Sequence, residues 1–459
     1  MALRLREGLG KDGTVTEHFT PHIIFGLDPM WFATVLLCVT YAVIIWDRVN
    51  RAIIALVAAG IAVLAGALDQ AEALKGIDWN TIGTLTGLMI ITSIAQRSGV
   101  FQYAAVRSAQ LARAHPAALL LLVQLVTFFV SAVLNNVSTV LLMAPVTLAV
   151  TRELQIAPFP FLIAEVLAAN IGGTATLIGD PPNIMIGSQA GLSFNRFLFH
   201  LAPIVVVVQA VQALTLHLIW GRATHATVEN RLRVMMLDAR AAIVDLPLLL
   251  QSVAVLAVVI VALVFEDRLQ LEPATIAMGG AAVLMLLDNW EHRGAKQTVN
   301  VTRTLTEVEW ITIFFFVGLF IVVHAVEVSG LLQLLAGKLV AVTGNNLALG
   351  GVIILWLSAF LAALIDNIPF VAVMIPVIKA MAPAFGGPAH IAPLWWCLSL
   401  GACLGGNGTL IGATANLTVA GIAERNGIAF GFVRYTLYAL PMMIVSILIC
   451  QLYVWLRYF

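Results

Sequence analysis

The stretch NIGGTATLIGDPPN, residues 170–183, decides the fold. It interrupts an apolar run, 160–190, long enough to span a bilayer, which takes roughly 20 residues. Gly172-Gly173 frees the backbone, and Pro181-Pro182, which have no backbone N–H to donate, halts one helix and can open the next. A second run, 391–423, is interrupted in the same way by GGNGTLIGATAN, residues 405–416. Irregular backbone at membrane depth survives only where protein or a water-filled cavity surrounds it. Two such breaks predict a polytopic helical membrane protein whose chemistry sits where its helices fail.

The rest of the chain agrees. Of its 459 residues 61% are hydrophobic and 10% charged, against about 25% charged in a soluble domain. Mean hydropathy is +0.99. The formal net charge is zero, which gives no footing for nucleic acid. Further spans are predicted over 30–46, 52–68, 79–96, 199–220, 246–265, 272–288, 309–327 and 434–456. Two longer apolar stretches, 116–151 and 347–384, carry Asn135-Asn136 and Asp366-Asn367 at their middles and read as re-entrant hairpins. With the N-terminus outside, most Lys and Arg fall on the inner face, as membrane insertion favours. The count is about ten spanning helices plus two hairpins, without a cleavable signal peptide. Cys38, Cys397, Cys403 and Cys450 have no CxxC spacing and read as apolar filling.

The chain is also similar to itself. A shift of 231 positions sets Trp79 on Trp310, Thr81 on Thr312, Gly87-Leu88 on Gly318-Leu319, Asn136 on Asn367 and Pro145-Val146 on Pro376-Val377. A shift of 233 sets Gly172-Gly173 on Gly405-Gly406, Thr176-Leu177-Ile178-Gly179 on Thr409-Leu410-Ile411-Gly412, and Asn183 on Asn416. The expected organisation is a tail (1–29), a first repeat (30–220), a cytoplasmic linker (221–245) and a second repeat (246–459). Trp79 and Trp310 enter from opposite faces in this count, so the repeats are inverted, as in alternating-access transporters.

Four irregular places should therefore meet near the midplane. Broken helices expose N-terminal N–H groups with partial positive charge and carbonyls that can hold a cation. The candidate binding residues are Asn135, Asn136, Ser138 and Thr139 at the first tip and Asp366 and Asn367 at the second. The breaks contribute Gly173, Thr174, Thr176, Asp180 and Asn183, then Gly406, Asn407, Thr409, Thr414 and Asn416. A carboxylate at membrane depth is costly, which makes Asp180 and Asp366 the candidates for proton or Na⁺ coupling. Na⁺ sites would pair Asn135 with Asp180 and Asp366 with Asn416. Glu165 is a further carboxyl candidate without a break beside it, while His324 and Glu327 read as structural. The breaks and tips contain no Lys or Arg, so the cargo should carry little charge or travel with cations.

The tip words Asn135-Asn136-Val137-Ser138-Thr139 and Asp366-Asn367-Ile368-Pro369, with the blocks 170–183 and 405–416, resemble the ion transporter superfamily with its citrate transporter-like domain. They are most similar to its arsenite-efflux and NhaD-type branch, including P-protein-like permeases. The resemblance covers essentially 30–456. It implies scaffold and transport domains, a homodimer, and a site lined by both tips and both breaks. Together these readings predict an ion-coupled secondary transporter, not an enzyme, in a prokaryotic inner membrane. Its cargo would be a small anion or metalloid oxyacid, with arsenite or antimonite efflux named first; Na⁺/H⁺ antiport and dicarboxylate transport are the alternatives. No cofactor is expected beyond the coupling ion, H⁺ or Na⁺, and no partner beyond the bilayer, the substrate and a second copy. No His-Glu-x-x-His motif and no phosphate-binding glycine loop is present.

Overall fold

The computed structural model describes residues 21–459 apart from 47 and 345; most of the 1–29 tail, with Arg4, Arg6 and Lys11, lies outside the described residues. Those described form helices joined by short connections, and none of them is in a strand. Eight described helices have the length and apolarity to cross a membrane: Pro29–Trp46, Pro116–Val133, Phe194–Trp220, Leu246–Val264, Trp310–Val328, Leu347–Leu364, Asn367–Phe385 and Phe432–Tyr458.

Trp79–Arg97 is equally long but more polar, and it is mostly buried in protein. Its hydroxyls turn back on the helix: Thr84 donates to the Asn80 carbonyl at 2.7 Å and Thr92 to that of Leu88 at 2.8 Å. Satisfied in this way, threonine costs little away from water. Helices also form in segments read from the sequence as connections, among them Val100–Leu111, Val228–Met235 and Ala295–Thr306. They are short or polar along one face and give no spanning signal.

The chain divides into two compact units, neither contiguous in sequence. The smaller joins the segment up to Ile77 with Phe314–Leu335. In it, a Cβ added to Gly318 would lie 2.5 Å from the Ala55 carbonyl carbon, so the two backbones touch. The Arg51 guanidinium lies over the Phe315 ring at 5.2 Å, and His324 bonds to Glu327 at 3.1 Å.

The larger unit holds Asp78–Ile313 and Ala336–Phe459, and with them both hairpins and both broken helices. There a Cβ on Gly87 would lie 2.5 Å from the Ala277 carbonyl carbon. Gly87 and Gly318 are partners under the 231-residue shift, so one close helix crossing, which only glycine allows, is used once in each unit. The part-buried Arg97 of the larger unit bonds Asp288 and Asn300, each at 2.6 Å, and Thr304 at 3.0 Å. Several partners around one guanidinium are what make a buried ion pair tolerable.

Candidate functional site

Both hairpins turn sharply at their tips. Pro116–Val133 gives way to Asn136–Glu153 across Leu134-Asn135. Leu347–Leu364 gives way to Asn367–Met381 across Ile365-Asp366. The new helices begin where a side chain can cap them. The Asn135 side chain accepts from the Ser138 N–H at 2.6 Å, and the Thr139 hydroxyl donates to the Asn135 carbonyl at 2.9 Å. Asp366 accepts from the Ile368 N–H at 3.3 Å and from the Thr414 hydroxyl at 3.4 Å.

The broken helices stop where the glycines stand. Phe159–Thr174 ends and Pro181–Ala190 begins after an extended Asp180; Ala392–Gly405 ends and Thr414–Arg425 begins after an extended Ala413. A Cβ on Gly172 would sit 2.2 Å from the Phe128 carbonyl oxygen, and one on Gly405 would sit 2.5 Å from that of Ala359. Each break is thus pressed against the first arm of its own hairpin. Thr176 donates to the Ala132 carbonyl and Thr409 to the Ala363 carbonyl, both at 2.5 Å. A Cβ on Gly173 would meet the Gly179 carbonyl at 2.6 Å, and one on Gly406 would meet that of Gly412 at 3.0 Å. These contacts recur at the shifts read from the sequence.

A helix that stops inside a membrane leaves carbonyls without partners. Two asparagines supply them. The Asn183 amide reaches the carbonyls of Gly173, Thr174 and Thr176 at 3.0–3.4 Å. The Asn416 amide reaches those of Gly406 and Thr409 at 2.8 and 2.9 Å. Their own oxygens then point elsewhere. Asn183 Oδ1 accepts from the Ser399 hydroxyl at 2.6 Å and the Cys403 thiol at 3.4 Å. Asn416 Oδ1 accepts from Asn170 at 2.9 Å.

Asn170 is the hub. It also donates to Asn407 at 2.8 Å and accepts from Asn136 at 3.0 Å. Asn136 in turn donates to Asp180 at 3.3 Å. One buried network therefore joins the first hairpin tip to both breaks. Thr174 closes on the Asn170 carbonyl at 2.7 Å. Asp180 is 2% exposed, and its Oδ2 has no hydrogen-bond partner among the described residues. Asn367 is buried at the second tip.

Of the residues expected from the sequence, Asn136, Asp180, Asn183, Asn407 and Asn416 meet in this network. Asp366 and Thr414 meet beside the second tip. Asn135, Ser138 and Thr139 cap the first. Thr176 and Thr409 hold break to hairpin, with their hydroxyl protons already donated. Asp180 is joined by Asn136 and Asp366 by Thr414, while Asn416 turns to Asn170. Three members of the network were not expected: Asn170, Ser399 and Cys403. The signal was present, since Asn170 opens the quoted stretch and Cys403 is its partner under the 233-residue shift.

Helices broken at polar, glycine-bearing words and pressed against two hairpins are the architecture of a membrane transporter. The chain belongs to the citrate transporter family, which it matches over residues 41–401. It is 40% identical to an uncharacterized transporter of Mycobacterium tuberculosis over 433 residues, covering 93% of this chain and 98% of that protein. It is 32% identical to the human P protein over 498 residues, covering 90% of this chain and 58% of that protein. The crystal structure of the YdaH transporter of Alcanivorax borkumensis shares the fold, with a TM-score of 0.59 at 14% identity, covering 93% of this chain and 98% of that one. The protein is an integral membrane transporter, and its mycobacterial relatives accord with a prokaryotic inner membrane.

Proposed function

We propose that the protein is an ion-coupled secondary transporter of a small anion or metalloid oxyacid, with arsenite or antimonite efflux as the leading reading. The observation that supports it is the network itself: five buried asparagines, one carboxyl and no Lys or Arg at tips or breaks. Carboxamides offer donors and acceptors without charge. Arsenous acid, uncharged near neutral pH and bearing hydroxyls, needs such partners, whereas a multiply charged anion usually recruits guanidinium. The two sequence repeats, inserted in opposite senses, would carry out alternating access by rocking around the network, with H⁺ or Na⁺ as coupling ion and a homodimer as the working form.

Two further readings have support. The family's description favours a carboxylate such as citrate, which would need cations beside Asp180 and Asp366. Those same carboxyls favour Na⁺/H⁺ antiport, in which they are the transport site.

Proteoliposomes holding the purified protein separate the readings. Saturable arsenite or antimonite flux driven by an ion gradient supports the first, and gradient-driven citrate flux supports the second. Na⁺-driven proton movement with no added anion supports the third. Asp180→Asn should abolish or uncouple the flux while the protein still elutes folded; coupled flux at the wild-type rate removes Asp180 from the mechanism.

A further inference from the structure

Glu165 lies outside the asparagine network and is harder to explain. It is 0% exposed, and every one of the sixteen residues of its helix, Phe159–Thr174, is buried. Neither carboxyl oxygen has a hydrogen-bond partner among the described residues. The neighbouring polar group is the Thr147 hydroxyl, which stands beside the carboxyl and has no other partner among the described residues. The charged residues of the helices packed against Phe159–Thr174 include Arg152, Glu153, His217, Glu424, Arg425 and Arg434, all toward helix ends; none pairs with Glu165. Pro116–Val133 carries no charge, and Ala392–Gly405 offers only Cys397 and Cys403.

The internal repeat shows what the fold itself needs at this place. Under the two shifts, the partner of Glu165 is Leu398 and the partner of Thr147 is Ile378. Both are 0% exposed. The same helix pairing in the second half is thus filled by hydrocarbon. Glu165 and Thr147 are a polar pair that the architecture does not require, at a depth where a polar pair is costly. Their helices also carry the network, for Asn170 follows Glu165 on one and Asn136 opens the other.

We propose that Glu165 is a proton-binding site of the transport cycle, distinct from Asp180. An unpaired carboxylate at this depth is costly, whereas the neutral acid is the form this packing accommodates. The proton therefore sits on a carboxyl oxygen while the pair is closed. It leaves when the Asn136–Glu153 and Phe159–Thr174 helices part enough to admit water, and the carboxylate is then solvated. This rests on the transporter reading above and adds the group that takes up the coupling proton.

Infrared spectroscopy of the purified protein in lipid reads the site without any substrate. The carbonyl band of protonated, buried carboxylic acids near neutral pH should contain a component that persists in Asp180→Asn and in Glu266→Gln and is lost in Glu165→Gln. Persistence of the whole band in Glu165→Gln overturns the proposal. In proteoliposomes, arsenite accumulation driven by a pH gradient should fall at least tenfold in Glu165→Gln and lose its dependence on pH. Glu165→Leu, which copies the residue of the other half, should fold and show the same loss. If either variant accumulates arsenite against a pH gradient within twofold of wild type, the proposal fails. Wild-type vesicles that move no arsenite count against the substrate reading instead, and the infrared band then decides the role of Glu165.

Discussion

Replacing Asn170 by alanine removes the one residue that touches the first tip and both breaks. The change deletes three hydrogen bonds, to Asn136, Asn407 and Asn416. Their partners suffer unequally. Asn136 keeps its bonds to Asp180 and the Val137 N–H, so it loses one of three. Asn416 keeps its amide on the Gly406 and Thr409 carbonyls, yet its oxygen is orphaned. Asn407 loses the donor to its side-chain oxygen as well. Side-chain hydrogen bonds between membrane helices average about 0.6 kcal/mol and reach about 1.7. A buried acceptor left without a donor costs about 1–3 kcal/mol. One weakened and two orphaned groups thus give a loss of about 3–8 kcal/mol. Reversible denaturant titration of the purified protein measures it, with flux in proteoliposomes alongside. Asn170→Asp, which can still accept from Asn136 but cannot donate to Asn407 and Asn416, should lose most of the same stability. If Asn170→Ala costs less than about 0.5 kcal/mol and transports normally, the hub is a coincidence of neighbours.

Three other sets of changes are decided by local geometry. Gly172→Ala and Gly405→Ala drive a methyl into a hairpin carbonyl and should each destabilise by at least the 1–3 kcal/mol usual for overpacking; Gly421→Ala, whose Cβ meets nothing within 4 Å, should be neutral or stabilising in the same thermal-melt assay. Glu266, in the connection after Leu246–Val264, is 5% exposed and accepts from the Phe194 N–H, and burial pushes its carboxyl up to about 7. The unfolded chain gives up that proton first, so stability should fall as pH rises from the ordinary carboxylate range to about 7. Glu266→Gln should flatten that slope and gain about 1–3 kcal/mol at pH 8 in denaturant titrations run across pH. Asp288→Asn should weaken the part-buried contact with Arg97 and lower the melting temperature, whereas Glu229→Gln, in an exposed pair with Arg233, should not.

Much of this was legible in the sequence, because membranes leave few reasons to put glycine, proline and asparagine inside an apolar run. Both breaks and both hairpin tips fall where the polar words stand, and the helix ends follow the caps at Asn135 and Asp366. What escaped has physical causes. Asn170 lies inside a regular helix, four residues before its last residue, so nothing in the backbone marked it. Ser399 and Cys403 are small side chains in an apolar helix, and only three-dimensional packing turns them toward Asn183. The two discontinuous units were also hidden, since Gly87 and Gly318 reveal a repeated crossing but not which helix each one meets. The short helices outside the spans carry mixed polarity and resemble connecting loops by composition.

The central claim is that cargo is held where the hairpin tips meet the helix breaks and is reached from each face in turn. Ser138 at the first tip and Thr414 at the second break are both partly exposed. The exposed Cys38 is replaced by serine, leaving three buried cysteines, and Ser138→Cys and Thr414→Cys are made singly in that background. A membrane-impermeant maleimide is then applied to right-side-out and to inverted vesicles. The account predicts labelling at both positions from both faces, each shifted in opposite directions when the ion gradient is reversed. Labelling from one face alone, whatever the gradient, would contradict it.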